Sequence, residues 1–320
     1  MDRRDLKIIF MGTPDFAGTN LKALIDAGFS VVLAVCQPDK PVGRKHILTA
    51  PPVKVLALEN GVEVYQPDSL RTEEALSRLA SYTPDLIVMA AYGKILPQAV
   101  LDLPVYGCIN CHGSLLPARR GASPVQRAIM EGDAVTGVTF MKMDAGMDTG
   151  DMIDRVEVAI DPNEHTESLM NRLAGASADK LPEIIDKWVN GDIAAEKQDD
   201  TKATSCPPIR PEEGEFSWSE DALAIHNRVR ALSAWPGAYV MKDDKKLKVL
   251  DSEVVDDADQ MIPGELMNSA PGTVVRAKGE NLIVKCGNGY LKVKELQQPG
   301  GKRLSARDCA HNFAVGSPVI

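Results

Sequence analysis

The sequence contains no apolar run approaching the twenty or so residues that a membrane-crossing helix needs. Its start, Met1-Asp2-Arg3-Arg4-Asp5-Leu6-Lys7, passes straight into a strand-like segment, leaving no room for a secretory or transit peptide. A cytoplasmic protein with no membrane partner is expected. Cysteine is sparse, six scattered over 320 residues, which excludes a disulfide framework and fits reduced thiols. The one C-x-x-C, Cys108-Ile109-Asn110-Cys111, has no second pair to complete a zinc site. On a strand its two cysteines would point to opposite faces, so no metal site is expected. Internal repeats and low-complexity tracts are missing. Basic charge is missing too, because a net −9 does not favour binding nucleic acid through overall charge.

What is present is ordinary globular composition, 44% hydrophobic and 25% charged, in a chain long enough for two domains. The first half alternates apolar strand-like runs with helical patterns. The runs are Lys7-Ile8-Ile9-Phe10-Met11, Val31-Val32-Leu33-Ala34-Val35-Cys36, 85–91 and 106–111; the helices fall near 16–26, 52–58 and 72–81. This alternation predicts βαβ units and a parallel sheet covered on both faces. A further helix is expected at 164–189, and the polar stretch 191–208, ending Cys206-Pro207-Pro208, reads as a linker. Beyond it a helix near 221–232 precedes short strand-like runs at 238–241, 247–250, 272–276, 282–286 and 290–296, the pattern of a small β-barrel of the oligonucleotide-binding type. The expected division is 1–190, linker 191–208 and 209–320.

Gly12-Thr13-Pro14-Asp15-Phe16-Ala17 occupies the place of a dinucleotide fingerprint, but Pro14 stands where the second glycine should be. Proline fills the space a pyrophosphate needs and removes a donor, which disfavours NAD. An anion site at a helix N-terminus and a plain tight turn both remain open.

The segment richest in chemistry is Asn110-Cys111-His112-Gly113-Ser114-Leu115-Leu116-Pro117-Ala118-Arg119-Arg120-Gly121, where an apolar strand ends in a polar, proline-bearing loop. Period-2 alternation projects Asn110 and His112 from one face at the carboxyl end of a parallel strand, where open α/β sheets place ligands. An amide that can donate to a developing oxyanion contributes on the order of 10² to 10³ in rate, and an imidazole carries protons near neutral pH. The pair suits acyl transfer. A carboxylate to orient the imidazole would come from the loop after the strand-like 138–141, where Asp144, Asp148 and Asp151 are equal candidates by spacing.

Asn110-x-His112-Gly113-Ser114-Leu115-Leu116-Pro117, with Arg120-Gly121 and Asp148-Thr149-Gly150, resembles the signature of folate-dependent formyltransferases. The opening Gly12-Thr13-Pro14-Asp15-Phe16, the loop from Gln37-Pro38-Asp39 to Gly43-Arg44 and the C-terminal half resemble the branch acting on charged initiator tRNA. The resemblance implies a Rossmann-like α/β domain followed by an oligonucleotide-binding-like β-barrel. It assigns catalysis to Asn110, His112 and Asp148, and folate contact to Ser114, Leu115, Leu116 and Pro117. It further implies 10-formyltetrahydrofolate as formyl donor, initiator methionyl-tRNA as acceptor, no metal, and a monomer. Rival readings are a sugar-nucleotide formyltransferase and a catalytically silent folate- or RNA-binding protein.

Two basic features are candidates for holding tRNA. Arg44 lies in the loop Lys40-Pro41-Val42-Gly43-Arg44-Lys45-His46, which resembles a loop the family inserts toward the acceptor stem. Between 276 and 307 eight basic residues face two acidic ones. There Tyr290, Lys292 and Lys294 would share an outward strand face, with Lys302, Arg303 and Arg307 nearby, a surface suited to phosphate. Alternating lysines also guard ordinary strand edges. Trp218 and Trp235 are expected to be core or packing residues.

Overall fold

A computed structural model of the chain describes residues 2–43, 46–242, 244–255 and 261–319. These residues form two compact units. The first comprises 1–124, 135–159 and 170–207, and the second 125–134, 160–169 and 208–320.

The strands of the first unit are β1 (Lys7–Gly12), β2 (Ser30–Val35), β3 (Lys40–Val42), β4 (Ile47–Thr49), β5 (Val64–Tyr65), β6 (Leu86–Ala90), β7 (Cys108–His112), β8 (Arg120–Gly121), β9 (Val135–Lys142), β10 (Met152–Ala159) and β11 (Ser205–Cys206). Its main sheet runs β10-β9-β7-β6-β1-β2-β5. From β5 to β7 neighbours are parallel, as the alternation predicts. Beyond β7 the sheet turns antiparallel, through β9 and then β10. The predicted parallel order therefore stops at that edge, because β9 and β10 pair as a hairpin and neither follows its neighbour through a crossover.

Ile8, Ile9, Phe10 and Met11 have no exposed surface, so β1 is buried on both faces. Such an unbroken apolar run belongs in the centre of a covered sheet. The helices are α1 (Asp15–Asp26), α2 (Pro52–Glu59), α3 (Glu73–Ser81), α4 (Gln98–Leu101), α5 (Pro124–Met130), α6 (Thr166–Asn190) and α7 (Ala222–Ala231). Helix α3 starts where its sequence says: the Thr72 hydroxyl accepts the Ala75 N–H, and Glu73 and Glu74 occupy the first turn, next to the positive end of the helix dipole.

The second unit carries an antiparallel sheet of β12 (Ala238–Lys242), β13 (Lys245–Val254), β14 (Val274–Lys278), β15 (Asn281–Lys285), β16 (Tyr290–Gln297) and β17 (Arg303–Ser305). Its path runs β12-β13-β16-β15-β14, with β17 on β16. Inward residues such as Leu247, Val249, Leu282, Val284, Leu291 and Val293 pack with Ile225 and Val229 of α7. A smaller cluster on other strand positions includes Ile262, Val275, Ile283 and Tyr290.

The segments 125–134 and 160–169 belong with this unit for a specific reason. Arg230, 4% exposed, donates to the carbonyls of Ile129 at 3.4 Å, Asp161 at 3.4 Å and Glu164 at 3.3 Å, and to Asn227 Oδ1 at 2.8 Å. Thr166 Oγ1 donates to the Ala231 carbonyl at 2.7 Å. A buried guanidinium must direct its donors at acceptors, and here the backbone carbonyls and the Asn227 amide oxygen supply them, with the Glu164 charge adding to its support.

Candidate active site

Strand β7 delivers Asn110 and His112, 5% and 6% exposed, from the centre of the main sheet. Asn110 pairs in register with Met89 of β6 and Met141 of β9, which fixes its backbone on both sides. Among the described residues, no other group hydrogen-bonds its side-chain amide. The strand therefore fixes the backbone of an amide whose side chain has no protein partner among the described residues.

The imidazole of His112 lies between two acceptors. Nε2 is 3.0 Å from the Arg119 carbonyl, and Nδ1 is 3.6 Å from Asp148 Oδ1. Of the three aspartates that spacing leaves open, Asp148 is the one whose carboxylate faces His112. Asp144 turns inward on its own loop, accepting Gly146 N–H at 3.0 Å and Thr149 Oγ1 at 2.7 Å. Asp148 has φ +55°, a left-handed backbone that asparagine and aspartate tolerate best among non-glycine residues. Holding such a conformation costs on the order of 1–3 kcal/mol and needs surrounding support.

That support comes from two places. Gly121 donates its N–H to Asp148 Oδ2 at 2.8 Å. Gln198 donates to the carbonyls of Asp148 at 2.8 Å and Gly150 at 2.7 Å. Gly121 has φ +124°, and a β-carbon there would meet the Cys206 carbonyl oxygen at 2.6 Å. Its glycine is required by both conformation and space.

The stretch 191–208, expected to be a plain linker, thus takes part in building this site. Its β11 pairs in parallel with β8, Ser205 opposite Arg120 and Cys206 opposite Gly121. The Thr204 side chain accepts the Arg119 N–H at 2.8 Å. Sequence reasoning misses Gln198, because a polar residue in a stretch without periodicity carries no signal. Gly121 belongs to the Arg120-Gly121 motif, yet only the structure gives its role.

Ser114, Leu115, Leu116 and Pro117 follow β7 as a loop tied to β9. Thr139 Oγ1 donates to the Ser114 carbonyl at 2.7 Å and accepts the Leu116 N–H at 3.0 Å. Ser114 Oγ donates to the Ala118 carbonyl at 2.7 Å. Ser114 and Leu116 are buried, whereas Leu115 and Pro117 are half-exposed. The loop therefore offers two apolar side chains from an anchored backbone.

At the first turn, a β-carbon on Gly12 would lie 2.4 Å from the Ala17 β-carbon and 2.7 Å from the Ala90 carbonyl oxygen. Close packing of β1, α1 and β6 accounts for this glycine. Cys108 and Cys111 contact different helices, through the Leu101 carbonyl of α4 and Ser177 of α6. Burial pushes both thiols up to about 12.

The residues expected to hold tRNA lie on other elements. Arg44 is outside the described residues; β3 and β4 pair with each other, with Ile47 and Leu48 exposed. Lys292 and Lys294 stand on β16 opposite β13, paired with Glu253 at 4.0 Å and Asp251 at 3.3 Å. Arg303 on β17 pairs with Glu295 at 2.8 Å, and Lys302 is exposed. Burial alone would raise the Asp251 carboxyl, but His165 and Lys294 outweigh it and hold it below its ordinary value. Tyr290 does not look outward with the lysines: it is 8% exposed, and its hydroxyl donates to the Met267 carbonyl at 2.7 Å. The loops packed over that face cover it, which strand alternation could not anticipate. Trp218 is buried edge-on against Phe216, as expected, whereas Trp235 is 57% exposed and is no core residue.

An amide and an imidazole on one strand, a carboxylate facing the imidazole from a separate loop and an anchored apolar loop after the strand are the groups that a group-transfer site of the acyl-transfer kind would use. Residues 6–185 match the family described as formyl transferase, and 208–314 match its C-terminal domain. The chain is 43% identical to a methionyl-tRNA formyltransferase of Caldanaerobacter subterraneus over 98% of this chain and 99% of the relative. It is 42% identical to one of Desulfotalea psychrophila over 100% and 96%. The chain belongs to the methionyl-tRNA formyltransferase family. Its fold resembles the solved methionyl-tRNA formyltransferase of Clostridium thermocellum, TM-score 0.54 at 18% identity over 78% of this chain and 94% of that one. It also resembles an N-formyltransferase of Helicobacter canadensis solved with folinic acid and dTDP-3-aminofucose, TM-score 0.63 at 16% identity over 90% and 98%. Among the described residues no His, Cys, Asp and Glu cluster could hold a metal ion, and no helix is long and apolar enough to cross a membrane.

Proposed function

We propose that this chain moves the formyl group of 10-formyltetrahydrofolate to the α-amino group of methionine esterified to initiator tRNA, acting as a cytoplasmic monomer. The observation that supports the reading is the approach of His112 Nδ1 to Asp148 Oδ1 at 3.6 Å, at the end of the strand that also carries Asn110. Residues present fit a folate: the side-chain amide of Asn110 has no hydrogen-bond partner among the described residues, and the loop that follows its strand carries the partly exposed apolar Leu115 and Pro117.

In the proposed reaction the neutral amine forms a bond to the formyl carbon, and the carbonyl oxygen takes up the electron pair. Asn110 donates an N–H to that oxyanion, and protonated His112 adds positive charge beside it. Asp148 keeps the imidazole oriented, and helps remove the amine proton through water. The C–N10 bond then breaks and N10 takes a proton, leaving tetrahydrofolate and the formylated ester. In the second unit, Lys292, Lys294, Lys302 and Arg303, with Arg44 of the first, are read as phosphate contacts that hold the tRNA.

The test supplies labelled 10-formyltetrahydrofolate with methionyl initiator tRNA or with an amino-sugar nucleotide. Label on the tRNA supports the reading. Label on the sugar nucleotide redirects the acceptor, and label on neither rejects transfer altogether.

A further inference from the structure

Gln198 is 5% exposed and uses both ends of its amide. Nε2 donates to the carbonyls of Asp148 and Gly150 at 2.8 and 2.7 Å. Oε1 accepts from Arg120, at 3.0 Å from Nε and 2.9 Å from Nη2. Carbonyls only accept and a guanidinium only donates, so one orientation of the amide alone satisfies all four contacts. Arg120 is held in turn by Asp200 at 2.7 Å.

The two carbonyls that Gln198 grips flank Thr149 and follow directly on the left-handed residue Asp148. Arg120 adjoins Gly121, whose N–H takes the other oxygen of the same carboxylate. Backbone and side chain of Asp148 are thus fixed from one connected network, and the oxygen left over faces His112 Nδ1.

We infer that Gln198 is a positioning residue for the proposed formyl transfer: by gripping the carbonyls of Asp148 and Gly150 it aims the Asp148 carboxylate at His112. It touches neither substrate nor reacting atoms. The inference rests on the proposed function, and its effect belongs to turnover, because the folate loop is anchored separately by Thr139.

The test compares wild type with Gln198→Glu and Gln198→Met. Glutamate keeps the Arg120 contact but loses both donors; methionine keeps only the length. Expected is an about 10- to 100-fold fall in kcat for both, the usual effect of removing a hydrogen bond that orients a functional group. The KM for 10-formyltetrahydrofolate stays within about three-fold, and the ring ¹⁵N signals of His112 move in both variants. Rescue of kcat by glutamate would mean that Gln198 serves only to anchor Arg120, and would overturn the inference. Unmoved His112 signals would overturn it whatever the activity. A wild-type protein that transfers no formyl group would instead refute the function, leaving the His112 signals to judge Gln198. Should either variant melt below the assay temperature, Gln198→Asn, too short to reach both carbonyls, is measured by the same readouts with the same expectations.

Discussion

His112 Nδ1 lies 3.6 Å from Asp148 Oδ1, just beyond hydrogen-bond length, while Asp148 Oδ2 is already committed to the Gly121 N–H at 2.8 Å. The carboxylate is anchored by one oxygen and aimed by the other. A small movement of the imidazole closes the contact, and catalytic hydrogen bonds commonly tighten in this way when substrate arrives. Since the Arg119 carbonyl faces Nε2, only a doubly protonated ring can donate at both nitrogens.

Replacing Asp148 by Asn keeps the shape and the Gly121 contact but removes the charge facing His112. Turnover should fall by about 10² to 10⁴, the usual range for removal of an acid–base group, with the KM for folate little changed. Steady-state kinetics with saturating tRNA check this. An unchanged kcat would remove Asp148 from the chemistry.

Gly121→Ala should cost both stability and turnover. The added carbon would press on the Cys206 carbonyl oxygen and hold alanine at φ +124°. A loss of about 1–3 kcal/mol is expected for such backbone strain. Thermal denaturation reads the first effect and kcat the second; a wild-type melting curve would contradict the required close approach.

The arrangement of β1, β2, β6 and β7 is legible in the sequence because buried parallel strands are unbroken apolar runs, and α3 announces its start through Thr72 and two glutamates. Asn110 and His112 are legible through strand alternation. The choice among three aspartates is not, since it depends on how the loop after β9 folds back; the family resemblance chooses Asp148, whose carboxylate the fold sets 3.6 Å from His112. Gln198 and the return of 125–134 and 160–169 to the second unit are invisible. Both depend on side chains meeting carbonyls far away in sequence, for which periodicity carries no mark.

His226 gives the second unit a pH dependence. Its ring is enclosed, with Nε2 3.0 Å from the Pro162 carbonyl and Nδ1 3.1 Å from Ser252 Oγ. Burial lowers its pKa below the ordinary 6.5, with the Pro162 carbonyl opposing and Arg230 adding to the shift. The unfolded chain therefore binds a proton before the folded one does. Stability is full above about pH 6.5 and declines as pH falls from there toward the folded value. Melting temperatures across that window should fall more steeply for wild type than for His226→Gln; parallel slopes would contradict the assignment.

Lys292 and Lys294 are paired with Glu253 and Asp251, yet surface pairs of this kind contribute only about 0–1 kcal/mol and exchange readily for phosphate. Replacing both by Ala should weaken tRNA binding and flatten its salt dependence, by about 0.7–0.9 in log–log slope for each phosphate no longer neutralised. Equilibrium binding across a salt series measures it. An unaltered slope would take these lysines off the tRNA path while leaving the catalytic site untouched.

The most direct measurement of the central claim is the single-turnover rate of formyl transfer by wild type and Asn110→Ala with saturating 10-formyltetrahydrofolate and methionyl initiator tRNA, set beside the folate Kd of each. If Asn110 holds the oxyanion, the rate falls by about 10² to 10³ while the Kd moves by less than about three-fold. A rate within a few-fold of wild type, or a loss matched by weaker folate binding, would contradict the claim that these side chains act together on the migrating formyl group.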